Sequence, residues 1–175
     1  MASFTDRMIG AAKLDVHIYE EVEHDVNAMG QAIGVVVLAA VSAGIGSLGS
    51  GPSGLLTGSL MAIVSWVIWS AIIYLVGTRL LPEPTTQADL GQLLRTLGFA
   101  AAPGLLGVFR IIPILGGLVI FIIFLWQIAT NVVATRQALD YPSTGKAVAV
   151  VLIGWVAAML VGVIFAFLGF GARLF

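Results

Sequence analysis

The chain has 175 residues, 59% of them hydrophobic and only 10% charged, whereas a soluble domain carries about 25% charged residues. With a mean hydropathy of +1.07, the composition is that of a membrane protein of one domain. The net charge of −1 gives no basic footprint for nucleic acid. The lack of cysteine excludes disulfides, thiolate metal sites and cysteine nucleophiles.

The first stretch carries Asp6, Arg7, Lys13, Asp15, Glu20, Glu21, Glu23 and Asp25, which makes it a polar tail and not a secretory signal. Between Ser3 and Asn27, Phe4, Met8, Ala11, Ile18, Val22 and Val26 fall near one face of a helix. Residues 1–27 are therefore expected to form a cytoplasmic amphipathic helix with an acidic polar side. Anionic lipid would repel that side, so the segment is expected to lie on its own bundle or on a partner's basic surface.

No charge occurs between Asp25 and Arg79, which leaves room for two spans of about 20 residues each. The Gly/Ser/Pro cluster at 46–54 divides them as a hairpin breaker, giving spans at 28–48 and 55–78. Thr86, three residues before Asp89, resembles a capping box. It opens a third segment at 90–109 that contains Arg95 and Pro103, either a kinked span or a re-entrant segment. The fourth span, 114–135, ends at Arg136 and Asp140, whose i, i+4 spacing suits an ion pair. After the Tyr141–Gly145 turn, the fifth span covers 147–170. Residues 28–175 thus read as an all-α transmembrane bundle of five spans. Placing the N-terminus inside keeps Arg7, Lys13, Arg79, Arg95, Arg136 and Lys146 cytoplasmic and leaves only Arg110 and Arg173 outside.

Small residues mark close helix contacts in lipid. On the fifth span Gly154, Ala158, Gly162 and Ala166 form a four-residue ridge, with shorter ridges at Gly54, Gly58 and Ala62 and at Gly30 and Gly34. They are expected to pack within the bundle or against a second copy. Gln127, Asn131 and Thr135 share one face of the fourth span. That face makes either interhelical hydrogen bonds or a polar path. Arg95 is expected at the cytoplasmic boundary, held by a carboxylate of Asp140 or Asp25.

The motifs that suggest chemistry fail on inspection. Glu21-Val22-Glu23-His24 offers one Glu-x-x-His step, but a di-iron bundle needs two, plus two further glutamates. Ser143-Thr144-Gly145-Lys146-Ala147 lacks the earlier glycine and the following hydroxyl of a phosphate loop. Both histidines, His17 and His24, lie in the tail, so no nucleophile–base pair can be assembled in the spans. No catalytic residue, cofactor or metal is expected.

Several segments carry a family resemblance. They are Tyr19-Glu20-Glu21-Val22-Glu23-His24-Asp25, then Leu94-Arg95-Thr96-Leu97-Gly98-Phe99-Ala100-Ala101-Ala102-Pro103-Gly104, Trp126-Gln127, Val133-Ala134-Thr135-Arg136-Gln137-Ala138-Leu139-Asp140, Gly145-Lys146-Ala147 and Ile153-Gly154-Trp155. In this order and spacing they resemble the bacterial branch of the Yip (Ypt-interacting protein) family. The resemblance implies a small polytopic protein of the cell membrane. The eukaryotic branch is linked to vesicle trafficking and small GTPases. Its long N-terminal extension and motif are absent here, and fold does not carry that role across. The expected function is non-catalytic: a scaffold that binds other membrane proteins, or an accessory subunit of a larger complex. Contact or structural roles are expected of Glu21, Asp25, Arg95, Pro103, Gln127, Asn131, Arg136, Asp140, Gly154 and Gly162. Expected partners are membrane lipids, other membrane proteins or a second copy. The competing class is a small transporter or channel using the polar face of the fourth span.

Overall fold

The computed structural model describes residues 1–45, 51–112 and 115–167. Residues 46–50 of the hairpin breaker, Pro113 and the residues after Phe167 lie outside them, as do the contacts of Gly54, Gly58 and Ala166. The described chain is all-α: α1 Phe4–Ala12, α2 Val16–His24, α3 Met29–Ile45, α4 Gly51–Leu75, α5 Leu90–Ala100, α6 Gly116–Ala138 and α7 Thr144–Phe167. A 3₁₀ segment, Ala102–Ile111, continues α5, and a π turn, Val76–Leu80, ends α4. Five stretches are long and apolar enough to cross a membrane: Val26–Ile45, Leu60–Leu80, Leu90–Arg110, Gly116–Ala138 and Thr144–Ile164.

The amphipathic tail is helical, but it folds as two helices. Ser3 and Asp6 cap α1 reciprocally. Leu14 then takes a left-handed conformation, φ 64°, which reverses the chain. The Asp15 side chain accepts the His17 N–H at 3.0 Å and starts α2. Periodicity alone runs across this break, because apolar residues on both helices face the same core. Two aromatic donors bind the freed end of α1: the Tyr19 hydroxyl donates to Ala11 O at 3.0 Å, and Trp126 Nε1 to Ala12 O at 2.7 Å. The tail therefore packs on its own bundle.

The Leu90–Arg110 stretch lies at the centre, with 61% of its most apolar window buried against 28% or less for the other four. The α-helix stops at Ala100 because Pro103 lacks the N–H that Phe99 O would accept. Gly104 N–H turns instead to Ala101 O at 2.9 Å, the i→i+3 pattern of a 3₁₀ helix. Ala100 O, freed by this change, accepts the Thr130 hydroxyl of α6 at 2.8 Å. An α-helix rises about 1.5 Å per residue and a 3₁₀ helix about 2.0 Å, so the two pieces reach about 35 Å, enough for a hydrocarbon core of about 30 Å. This favours a kinked span over a re-entrant segment.

The tightest helix seam joins this central element to α3. A Cβ on Gly98 would stand 2.7 Å from Ala32 Cβ, one on Gly104 3.0 Å from Ala39 Cβ, and one on Gly107 3.1 Å from Ala43 Cα. Such approach lets backbones pack where lipid supplies no hydrophobic drive. Of the expected ridge on α7, Gly154 is buried, and its Cβ would stand 2.8 Å from Ile73 Cδ1. A Cβ on Gly162 meets no described atom within 4 Å, and neither does one on Gly30. Among the described residues, the ridge thus packs closely at Gly154.

Candidate contact face at one end of the bundle

The centre of this face is Arg7, a charged side chain only 2% exposed. Its Nη2 lies 2.7 Å from Glu21 Oε1 and 2.7 Å from Asp25 Oδ2, and its Nη1 donates to Gln31 Oε1 at 3.0 Å. Burying a guanidinium is costly unless its charge is matched and its donors are used; here two carboxylates and an amide do both. The hydrogen bond from Arg7 holds the Glu21 carboxyl below the usual carboxylate range, and the same bond does so for Asp25. Glu21 and Asp25 are thus tied inward. Sequence position marks these acids as candidates, but nothing in the sequence around Arg7 marks it as their partner.

Arg95 is 6% exposed and lies against the end of α2. Its Nε donates to Val22 O at 3.0 Å and Glu23 O at 3.2 Å, and its Nη2 also donates to Glu23 O. These partners correct the expectation of a carboxylate from Asp25 or Asp140: Asp25 is taken by Arg7, and the last carbonyls of α2, at the negative end of its dipole, already suit a cation. The Glu23 side chain, 2% exposed, accepts from Gln92 Nε2 at 3.3 Å. Burial pushes its carboxyl up to about 7, and the charge of Asp140 adds to this. Gln92 is positioned by Asp89, which caps α5 and shares a capping box with it. Thr86, expected in that role, instead accepts the Glu83 N–H at 3.1 Å.

The α6–α7 turn closes the face. Arg136 does not pair with Asp140. It donates to Tyr141 O at 3.3 Å, Thr144 Oγ1 at 3.2 Å and Pro142 O at 3.4 Å. Asp140 lies beyond the helix end with φ 51°, off the α-helical course that an i, i+4 pair requires. The Tyr141 hydroxyl lies 3.0 Å from Gly77 O and 2.7 Å from Leu81 O, bound to the π turn of α4, and burial pushes it up to about 12. Lys146 Nζ pairs with Glu83 Oε1 at 2.6 Å and locks the 81–88 loop to α7. Sequence spacing gave no signal for that pair, whose members are 63 residues apart.

These elements enclose an open groove of about 1,110 Å³, lined by Glu20, Glu23, Asp140, His17, His24 and Arg136 among others. Gln137 Nε2 donates to Glu20 Oε1 at 3.2 Å across it. Among the described residues, no group of three His, Cys, Asp or Glu side chains is arranged to hold a metal ion. Pro103, Gln127 and Asn131 lie away from this face, in the spans. Asn131 Oδ1 accepts from Trp69 Nε1 at 2.9 Å, and its Nδ2 donates to Gln127 O at 2.7 Å. The buried Thr135 hydroxyl has no hydrogen-bond partner. Of the polar face of the fourth span, Gln127 and Asn131 line a cavity among the spans, while Thr135 is buried.

Fold and face together define a polytopic α-helical membrane protein whose polar residues are spent on joining segments. The chain belongs to the Yip1 domain family, whose model matches residues 17–166. No curated protein and no solved structure matches it.

Proposed function

We propose that this protein scaffolds or binds other membrane proteins, as a small organiser or as an accessory subunit of a larger membrane complex. The observation that carries the reading is the acidic groove between α2, the 81–88 loop and the end of α6, with Glu20, Glu23 and Asp140 in its walls. Membrane proteins keep Lys and Arg in their cytoplasmic loops, so an acidic face on that side complements the loops of a neighbour. In this reading residues 1–27 form a cytoplasmic contact segment on the transmembrane domain, the membrane is the bacterial plasma membrane, and the N-terminus is inside. Arg7, Glu21, Asp25 and Arg95 hold the segment in place, and Glu20 and Asp140, both exposed, meet the partner.

The test is affinity purification in mild detergent with quantitative mass spectrometry, comparing the wild type with the double variant Glu20→Lys/Asp140→Lys. The reading expects integral membrane proteins with basic cytoplasmic loops to be enriched by the wild type and lost with the variant. Equal recovery by both would contradict it.

A further inference from the structure

A second cavity, of about 650 Å³, lies among the spans, within the roughly 300–1,000 Å³ range of small-ligand sites. Its walls are largely Ala, Ile, Val, Phe and Trp side chains from α3, α4, α6 and α7, with Leu97 of α5. One wall is set by the 3₁₀ segment. In a 3₁₀ helix residues i and i+3 eclipse, so Ala101, Gly104, Gly107 and Arg110 form a single stripe, and all four line the cavity. Over those nine residues an α-helix turns two and a half times and would send Arg110 to the opposite side. The unusual helix type thus joins a small-residue wall to a guanidinium at its end.

Two polar groups in this cavity have no partner among the described residues. Arg110 makes no hydrogen bond or ion pair with a described residue. The side-chain amide of Gln127 lies over Gly104, with Nε2 3.1 Å from where a Cβ would stand, and no described group bonds to it. At membrane depth an amide without a partner costs several kcal/mol, and the neighbouring Asn131 is satisfied on both atoms. Arg110 is also one of only two basic residues that the expected orientation leaves outside, so charge bias does not account for it.

We propose that this cavity is a binding site for one anionic membrane phospholipid. An acyl chain occupies the apolar space, the Gln127 amide meets the glycerol-ester region, and Arg110 binds the phosphate. A guanidinium matches phosphate geometry through paired donors, and the apolar walls select a lipid over a free anion. The site lies at the other end of the central element from Arg95 and is independent of the acidic contact face.

Three of the four tryptophans, Trp66, Trp69 and Trp155, line the cavity, which provides the readout. The protein is reconstituted in phosphatidylcholine vesicles containing a low mole fraction of phospholipid with brominated acyl chains, and tryptophan quenching is followed. Brominated phosphatidylglycerol is expected to quench at several-fold lower mole fraction than brominated phosphatidylcholine. Arg110→Gln is expected to bring the two curves together, and Arg110→Lys to keep them apart. Ala40→Phe, which fills the cavity from α3, is expected to weaken quenching by both lipids, with circular dichroism confirming the fold. Coincident curves for the wild type, or a preference that survives Arg110→Gln, would overturn the proposal.

Discussion

Arg7 and Arg95 are both buried cations that join the N-terminal helices to the bundle, but they do so by different means. Arg95 uses backbone carbonyls, so Arg95→Leu leaves Val22 O and Glu23 O without their donor. An unsatisfied buried group costs about 1–3 kcal/mol, and thermal unfolding in detergent is expected to show a loss of that order, with Arg95→Lys in between. Arg7 neutralises carboxylates, and Arg7→Leu strands Asp25 and Glu21 together; its melting temperature is expected to fall further than that of Arg95→Leu. Glu23 supplies the pH dependence. Its carboxyl is raised to about 7 from an ordinary 4.5, so between these values the folded protein holds a proton that the unfolded chain has released. The stabilisation is complete below the unfolded value and is lost as pH rises through the folded one. Glu21 and Asp25 are depressed, so their contributions are lost only in more acid solution. Melting temperatures at about pH 5 and about pH 8 are expected to show a less stable wild type at the higher pH and a smaller difference in Glu23→Gln.

At the scale of elements, the seam between α3 and the central segment holds the bundle. Gly98→Leu would force α5 away from Ala32 of α3; overpacking of this kind costs about 1–3 kcal/mol or more, and a matching fall in thermal stability is expected. Gly162→Leu, where no described atom stands within 4 Å, is expected to leave stability unchanged within about 0.5 kcal/mol. The reverse ranking would relocate the close contact to α7. The five apolar stretches were legible in the sequence because a membrane core sets a length and a composition that few other folds share. This seam was not. Ala32, Ala39 and Ala43 are spaced by seven and four residues, but Gly98, Gly104 and Gly107 by six and three, since Pro103 changes the helix type between them. A four-residue spacing of small residues marks the ridge on α7 and does not mark the pair of elements that meet. The break at Leu14 was hidden for a related reason: both tail helices turn their apolar faces to one core, so the periodicity continues through the turn.

For the molecule as a whole, the polar residues fall into two regions with different tasks. At one end, charges on the tail, the 81–88 loop and the α6–α7 turn pair with segments far away in sequence and build an acidic groove. Such pairs were not legible beforehand, because only the fold brings Lys146 to Glu83 or Arg7 to Asp25. The composition of the tail did mark that end as acidic. We propose that the five-span bundle presents this acidic end to the cytoplasm. The cysteine-free background allows a direct measurement: single cysteines at His17, Thr144 and Gly117, all exposed, probed in intact cells with a membrane-impermeant thiol reagent. In this orientation Gly117→Cys is expected to react in intact cells, while His17→Cys and Thr144→Cys react only after the membrane is opened. Labelling of His17→Cys and Gly117→Cys from the same side would contradict it.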